Sequence, residues 1–285
     1  MISIRSFNLS IAVQSALSSF DNLMPSYAAS NSNISKMKAI EAIKSVAAAS
    51  GADFSFMLQK AEQESSFNPR AKASTSSAQG LFQFTEQTWL SMVSRYGEEA
   101  GIGNLASKIT KNSNGRFIVS DPSARAKILE LRNDPKIASV MSVNLDSEHK
   151  NILQRNVGGK VGGTELYLAH FLGAGGAVKF LNEMKSNASA NASDLLPEAA
   201  KANRSVFYNK DGSPKTVAEI YNRFDSKFGK TTAVAASKPA VPNKPIANNA
   251  LGYNQMSLLN SFKNGSISSS MLDILISSQS LGLKG

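Results

Sequence analysis

An all-α fold is what this sequence predicts, and three observations predict it. Through the middle of the chain apolar residues recur at intervals of three and four, the spacing of one face of a helix. Alternating apolar and polar runs, the mark of half-buried strands, are scarce. Residues that start helices (Ser, Thr, Asp) and residues that stop them (Gly, Asn-Pro) bracket the periodic stretches.

Residues 1–34 are rich in Ser and Asn and read as a polar, flexible extension with a short amphipathic helix near 8–20. One positive charge follows Met1, and the stretch Leu9–Leu17 is too polar for a hydrophobic signal region. An amphipathic helix therefore fits better than a secretory signal peptide, and the export route stays open. Order begins at Ser35 as an N-cap, with Met37, Ile40, Ile43 and Ala47 at helical spacing and Gly51 closing the element. Asp53 caps the next helix, which carries Phe54, Met57, Leu58 and Ala61 on one face. Asn68-Pro69 stops it, because the residue before a proline is pushed out of the α region. Thr85 caps a third helix with Trp89, Met92, Val93 and Tyr96 on its inner face. Further helices are expected at 122–133, 135–154, 164–172, 174–186 and 216–228, the last with Val217, Ile220, Tyr221 and Phe224 facing inward; 187–193 reads as a surface loop. Residues 230–250 have the Pro/Ala/Lys composition of a linker. The tail 251–285 regains apolar residues in two patches, Met256–Phe262 and Met271–Leu283, suited to short amphipathic helices. The expected domain is thus 35–229, with an extension at each end.

The 285 residues carry a formal charge of +10. An acidic polymer is a natural partner for that charge, although excess Lys and Arg also simply solvate a surface. No basic stretch interleaved with aromatics and no nucleic-acid motif is present, so nucleic acid is not the expected partner. Cysteine is absent, which excludes disulfides, thiolate metal sites and Cys nucleophiles. With only two histidines, His149 and His170, neither a metal centre nor a cofactor is expected. No run of about 18 apolar residues occurs, so no transmembrane helix is expected.

Two blocks carry chemistry. The first is Ala61-Glu62-Gln63-Glu64-Ser65-Ser66-Phe67-Asn68-Pro69, and the second is Gln79-Gly80-Leu81-Phe82-Gln83-Phe84. Glu64 falls at the margin of its helix's apolar face, where partial desolvation raises a carboxyl's pKa. A raised pKa lets a general acid hold its proton near neutral pH. An ordinary last-turn Glu fits the same spacing. Glu62 projects about 200° away around the helix and is expected in solvent. Gly80 lets the backbone pass close to a ligand, Leu81 and Phe82 offer an apolar wall, and Gln83 offers a donor and an acceptor to a sugar. A turn leading into core residues fits the same stretch, with Leu81 and Phe84 in the core. Glu86, Glu98, Glu99 and Glu165 are the candidates for a second acid, none of them in a matching motif.

A third block, Ala169-His170-Phe171-Leu172-Gly173-Ala174-Gly175, follows in order. Together the three resemble the family 1 lytic transglycosylases, whose SLT catalytic domain is lysozyme-like. The third block departs from that family's Ala-Tyr-Asn-Ala-Gly by placing His170 at the Tyr and Phe171 at the Asn. Its His-Phe-Leu-Gly form resembles a branch found in alphaproteobacterial proteins. The resemblance implies Glu64 as the single catalytic acid, with Ser65, Gly80, Leu81, Phe82, Gln83 and His170 lining the glycan groove. His170 would orient Glu64 in place of the Tyr, or else be a buried structural His. It implies cleavage of the MurNAc–GlcNAc β-1,4 bond of peptidoglycan with closure of a 1,6-anhydro ring, in the periplasm or elsewhere outside the cytoplasm. A hydrolytic muramidase on the same fold is the alternative, as is a peptidoglycan-docking factor serving a secretion, flagellar or pilus apparatus.

Overall fold

The computed structural model of the chain describes residues 32–229. The helix expected near 8–20, the 230–250 linker and the tail patches lie outside them. Helix α1 covers residues 32–50 and buries Ala39, Ile40, Ile43, Val46 and Ala47. It is already helical before Ser35, which is an interior residue and not the N-cap. A serine cap is worth only about 1 kcal/mol, too little to fix a helix start by itself.

Helix α2, Phe54–Ser65, starts as expected: the Asp53 carboxylate accepts from the Phe56 N–H at 3.0 Å. It ends earlier than Asn68-Pro69, at Ser66, whose backbone turns left-handed (φ 50°, ψ 41°) and whose N–H closes on the Glu62 carbonyl at 3.0 Å. That left-handed cap satisfies end carbonyls before the proline can act. Helix α3 is Glu86–Tyr96 and buries Trp89, Leu90, Met92 and Val93; Thr85 precedes it, but its hydroxyl pairs with that of Thr88 at 2.9 Å and makes no cap. The short α4, Gly103–Ala106, leads to a small antiparallel hairpin of β1, Thr110–Lys111, and β2, Phe117–Ile118. Two residues per strand are too few to show an alternating pattern, so sequence periodicity passes over them.

Helix α5, Pro122–Glu130, runs into a 3₁₀ turn, Leu131–Asn133, and α6 covers Pro135–Asn156 with Asp134 capping its first turn. Helix α7 spans Gly163–Ser186 but breaks at Gly173 (φ 71°, ψ 158°), which divides it as the two expected helices are divided. That backbone geometry belongs to glycine alone. Three short helices follow, α8 (Ala192–Leu195), α9 (Pro197–Ala202) and α10 (Arg204–Phe207); α8 begins inside the expected loop. Helix α11, Val217–Phe228, opens with a capping box between Thr216 and Glu219 and buries Val217, Ile220, Phe224 and Phe228, leaving Tyr221 half-buried.

Two apolar clusters form the core. The first joins α1, α2, α3, α5 and most of α6, with the Trp89 indole donating to the Ile128 carbonyl at 2.7 Å. The second joins Leu153 at the end of α6 to α7 and the helices that follow. Helix α2 serves both: Met57, Leu58 and Ala61 enter the first cluster and Phe56 the second. Its last turn, with Glu64, therefore lies on the seam between the two halves.

Candidate active site

Glu64 is one residue from the end of α2 and is met there by α7. The Tyr167 hydroxyl donates to Glu64 Oε1 at 2.9 Å, and His170 Nε2 lies 3.5 Å from the same oxygen. Tyr167 and His170 are three residues apart, so one turn of helix presents both. The His170 and Glu64 side chains are 14% and 16% exposed, which keeps the pair largely out of water but open to a ligand. Both contacts fall on Oε1, and Oε2 has no hydrogen-bond partner among the described residues. Tyr167 is itself clamped: its ring stacks on Phe228 with centroids 4.0 Å apart and lies 5.3 Å from Phe224. Burial and the neighbouring Glu64 push its phenol well above the ordinary tyrosine range, so it remains a proton donor in its hydrogen bond.

Glu64's proton affinity departs from expectation. Burial, the largest single influence, pushes its carboxyl up, as the sequence position suggests. The His170 hydrogen bond and charge, the Tyr167 hydrogen bond and the Lys60 charge together outweigh it, and the net direction is down. Margin position predicts desolvation but says nothing of donors brought in from another helix.

Beneath Glu64, on the same side of α2, Lys60 is completely buried. Its ammonium donates to Asp146 Oδ1 at 2.7 Å and Ser142 Oγ at 3.1 Å, both on α6. Neither Lys60 nor Tyr167 was singled out by the sequence. The usable signals were spacing alone: Lys60 is one turn before Glu64 among buried neighbours, and Tyr167 is one turn before His170.

The Gly80–Phe84 turn is built differently from its sequence reading. Gly80 is buried at φ +87°, and a Cβ there would fall 2.0 Å from the Arg132 carbonyl oxygen. Its missing side chain accommodates protein backbone in place of ligand. Arg132 pins the same loop, donating to the Ser77 carbonyl at 2.7 Å and Gln79 Oε1 at 3.0 Å. Leu81 and Phe82 are fully buried, so they back the site from the core and do not wall it. The Gln83 amide gives its two hydrogens to the Gly80 carbonyl (2.9 Å) and the Ala71 carbonyl (3.2 Å). Its carbonyl oxygen is what remains for a ligand, an acceptor without the expected donor. The Ser65 hydroxyl donates to the Leu81 carbonyl at 2.9 Å and ties this turn to the end of α2. Among the described residues the non-glycine positions with positive φ are Ser66, Phe67 and Gln83, all in the two turns that converge at Ser65. Strained backbone held by packing often marks a functional site.

The other carboxylates are occupied or remote. Glu86 pairs with Arg125 at 2.5 Å, and Glu165 closes the start of α7 on the Gly162 N–H at 2.7 Å while accepting from the Tyr221 hydroxyl at the same distance. Glu98 and Glu99 are exposed on the turn after α3. Among the described residues no group of three His, Asp or Glu side chains is disposed to hold a metal ion, and no helix is long and apolar enough to cross a membrane.

Residues 41–111 match the family model described as the Transglycosylase SLT domain. The matched stretch holds Glu64 and the Gly80–Gln83 turn and ends before α7. That match implies action on peptidoglycan, a polymer found outside the cytoplasm. Residues 41–111 are thus similar to a transglycosylase SLT domain, and the mainly helical body around them is consistent with the all-α, lysozyme-like fold of that domain.

Proposed function

We propose that the protein is a lytic transglycosylase that cuts the MurNAc–GlcNAc β-1,4 bond with Glu64 as its acid and then its base. The observation that carries this reading is a lone carboxylate held by two donors on one oxygen. Glu64 Oε2 delivers the proton to the glycosidic oxygen, and the C1–O4 bond breaks with the electron pair leaving on that oxygen. The sugar's own N-acetyl oxygen steadies C1. The MurNAc 6-hydroxyl then attacks C1, its proton returns to Glu64, and a 1,6-anhydro ring closes. No protein nucleophile is required.

The lowered proton affinity of free Glu64 fits the second half of this cycle, since Tyr167, His170 and Lys60 all stabilise the carboxylate. A bound glycan covers Oε2 and excludes water, which strengthens the opposing effect of burial and favours the protonated acid. A hydrolysing muramidase ordinarily requires a second carboxylate about 5–9.5 Å away, and the engagements of Glu86, Glu165 and Asp146 speak against it. Ser65 acts by fixing the turn, and the Gln83 carbonyl oxygen accepts from a sugar N–H or O–H. The catalytic unit is read as 35–229.

Glu64→Gln tests this directly. Digestion of purified sacculi should yield anhydro-muropeptides with the wild type, and turnover should fall about 10²–10⁴-fold in the variant. Reducing-end products in place of anhydro ends would establish hydrolysis, and more than a tenth of wild-type activity in the variant would remove Glu64 from its role.

A further inference from the structure

We propose that Lys60 is a positioning residue for Glu64, a fixed buried ammonium that stabilises the carboxylate as its proton departs. The proposal rests on Glu64 being the acid. Lys60 is the one buried lysine among the described residues, at 0% exposure. Asp146 at 2.7 Å and Ser142 at 3.1 Å fix its ammonium from α6, and the centroids of the Phe56 and Phe82 rings each lie 5.8 Å from it. One helical turn separates Lys60 from Glu64, so both project from the same side of α2.

Stability does not explain this arrangement. Replacing a buried ion pair by apolar residues of similar volume is often neutral or stabilising, and two phenyl rings already lie beside this one. A charge kept at such expense beneath a carboxylate that changes its own charge has a function in the charge change. The ammonium acts in water-poor surroundings, where its field is weakly screened, and it does not have to reorganise as the negative charge appears.

The other groups around the pair are few. From α6 come Asp146 and His149, from α7 come Tyr167 and His170, and from α11 comes Arg223, whose charge reaches Tyr167. His149 is buried and pushed down to about 4, so it is neutral at ordinary pH and adds no charge. Asp146 offsets part of the ammonium's field from the α6 side, yet Lys60 still acts on Glu64 in the direction that favours its anion.

The test compares wild type with Lys60→Met and with Lys60→Met/Asp146→Asn in the full chain. Melting is measured for each, and release of glycan products from sacculi is followed across pH. The double variant leaves no buried charge unpaired, so it carries the test where Lys60→Met alone fails to fold. The expected result is a folded double variant whose turnover is down about tenfold, less than the 10²–10³ typical of a donor that touches the reacting atoms. Its alkaline limb should lie at higher pH, because without the ammonium Glu64 keeps its proton longer. A purely structural role would lower the melting temperature and leave the limb in place. Wild-type turnover with a coincident limb would overturn the proposal, as would failure of both variants to fold, which would make the pair a core strut. Activity surviving in Glu64→Gln would instead defeat the assignment of the acid itself.

Discussion

The half of the molecule that carries Glu64 and the half that carries Tyr167 and His170 hold their groups by different means. In the first half the fixing is polar and local to turns: an Asp53 cap, left-handed residues at Ser66 and Phe67, and an Arg132 guanidinium threaded into the Gly80 loop. In the second half it is aromatic, with Tyr167 lying on Phe228 and close to Phe224, and Phe171 beside Phe224 and Phe207. Turn chemistry writes itself into short residue patterns. Stacking writes only "apolar here" and accepts many residues. The family match covers 41–111, in the first half, and stops short of the half that holds Tyr167 and His170.

The sharpest way to break the first half is Gly80→Ala. The new Cβ would need the space of a backbone carbonyl, at a φ that non-glycine residues rarely adopt. We expect a loss of about 3 kcal/mol or more of stability, read as a fall in melting temperature. A variant that melts like wild type would mean that the loop and Arg132 are not rigidly joined. Tyr167→Phe probes the second half with the stacking kept. Losing a hydrogen bond to a charged group costs about 1.5–3 kcal/mol, so turnover should drop roughly 10–100-fold with little change in melting. Unchanged turnover would show that the phenol only packs.

His170→Ala should cost about tenfold in turnover, and His170→Tyr should recover part of it by supplying another donor near Glu64. A lower melting temperature with normal turnover per folded molecule would make His170 structural. The smallest expected effect lies at the seam. His149 is held near 4 in the folded chain against an ordinary value of 6.5. The unfolded chain therefore binds the extra proton first, and stability falls as pH drops through that interval. Between pH 7 and 5.5 the loss should be about 1 kcal/mol by chemical denaturation, and His149→Phe should flatten it. The Glu64 contribution belongs to a lower window. It is present above the ordinary glutamate value of 4.5 and is lost as pH falls through the depressed one.

The division between halves also explains what was legible beforehand. The Asp53 cap, the Thr216 start of α11 and the break at Gly173 depend on residues within one turn of each other, and the sequence shows them directly. Glu64 stood out through the resemblance of the three blocks, since its spacing alone fits an ordinary last-turn Glu as well. Tyr167 meets it across 103 positions and Asp146 meets Lys60 across 86, separations at which no local spacing applies. Phe82 illustrates the opposite error, while Leu81 and Phe84 lie in the core, as one of the two readings of that turn had them. Their apolar character was plain, but whether an apolar residue in a turn lines a groove or closes a core depends on what packs behind it, here the first cluster.

Tyr167 and His170 converge on a single oxygen of Glu64, and a carboxyl so held has one free edge. A glycan strand has chemical direction, with a reducing and a non-reducing end. An acid that donates from one edge accepts the scissile oxygen in one orientation, which sets the way a strand must thread between the two halves. On this reading the pair of donors does more than tune an acid: it leaves the carboxyl one direction of approach, so that every cut would leave the same kind of end on the same side.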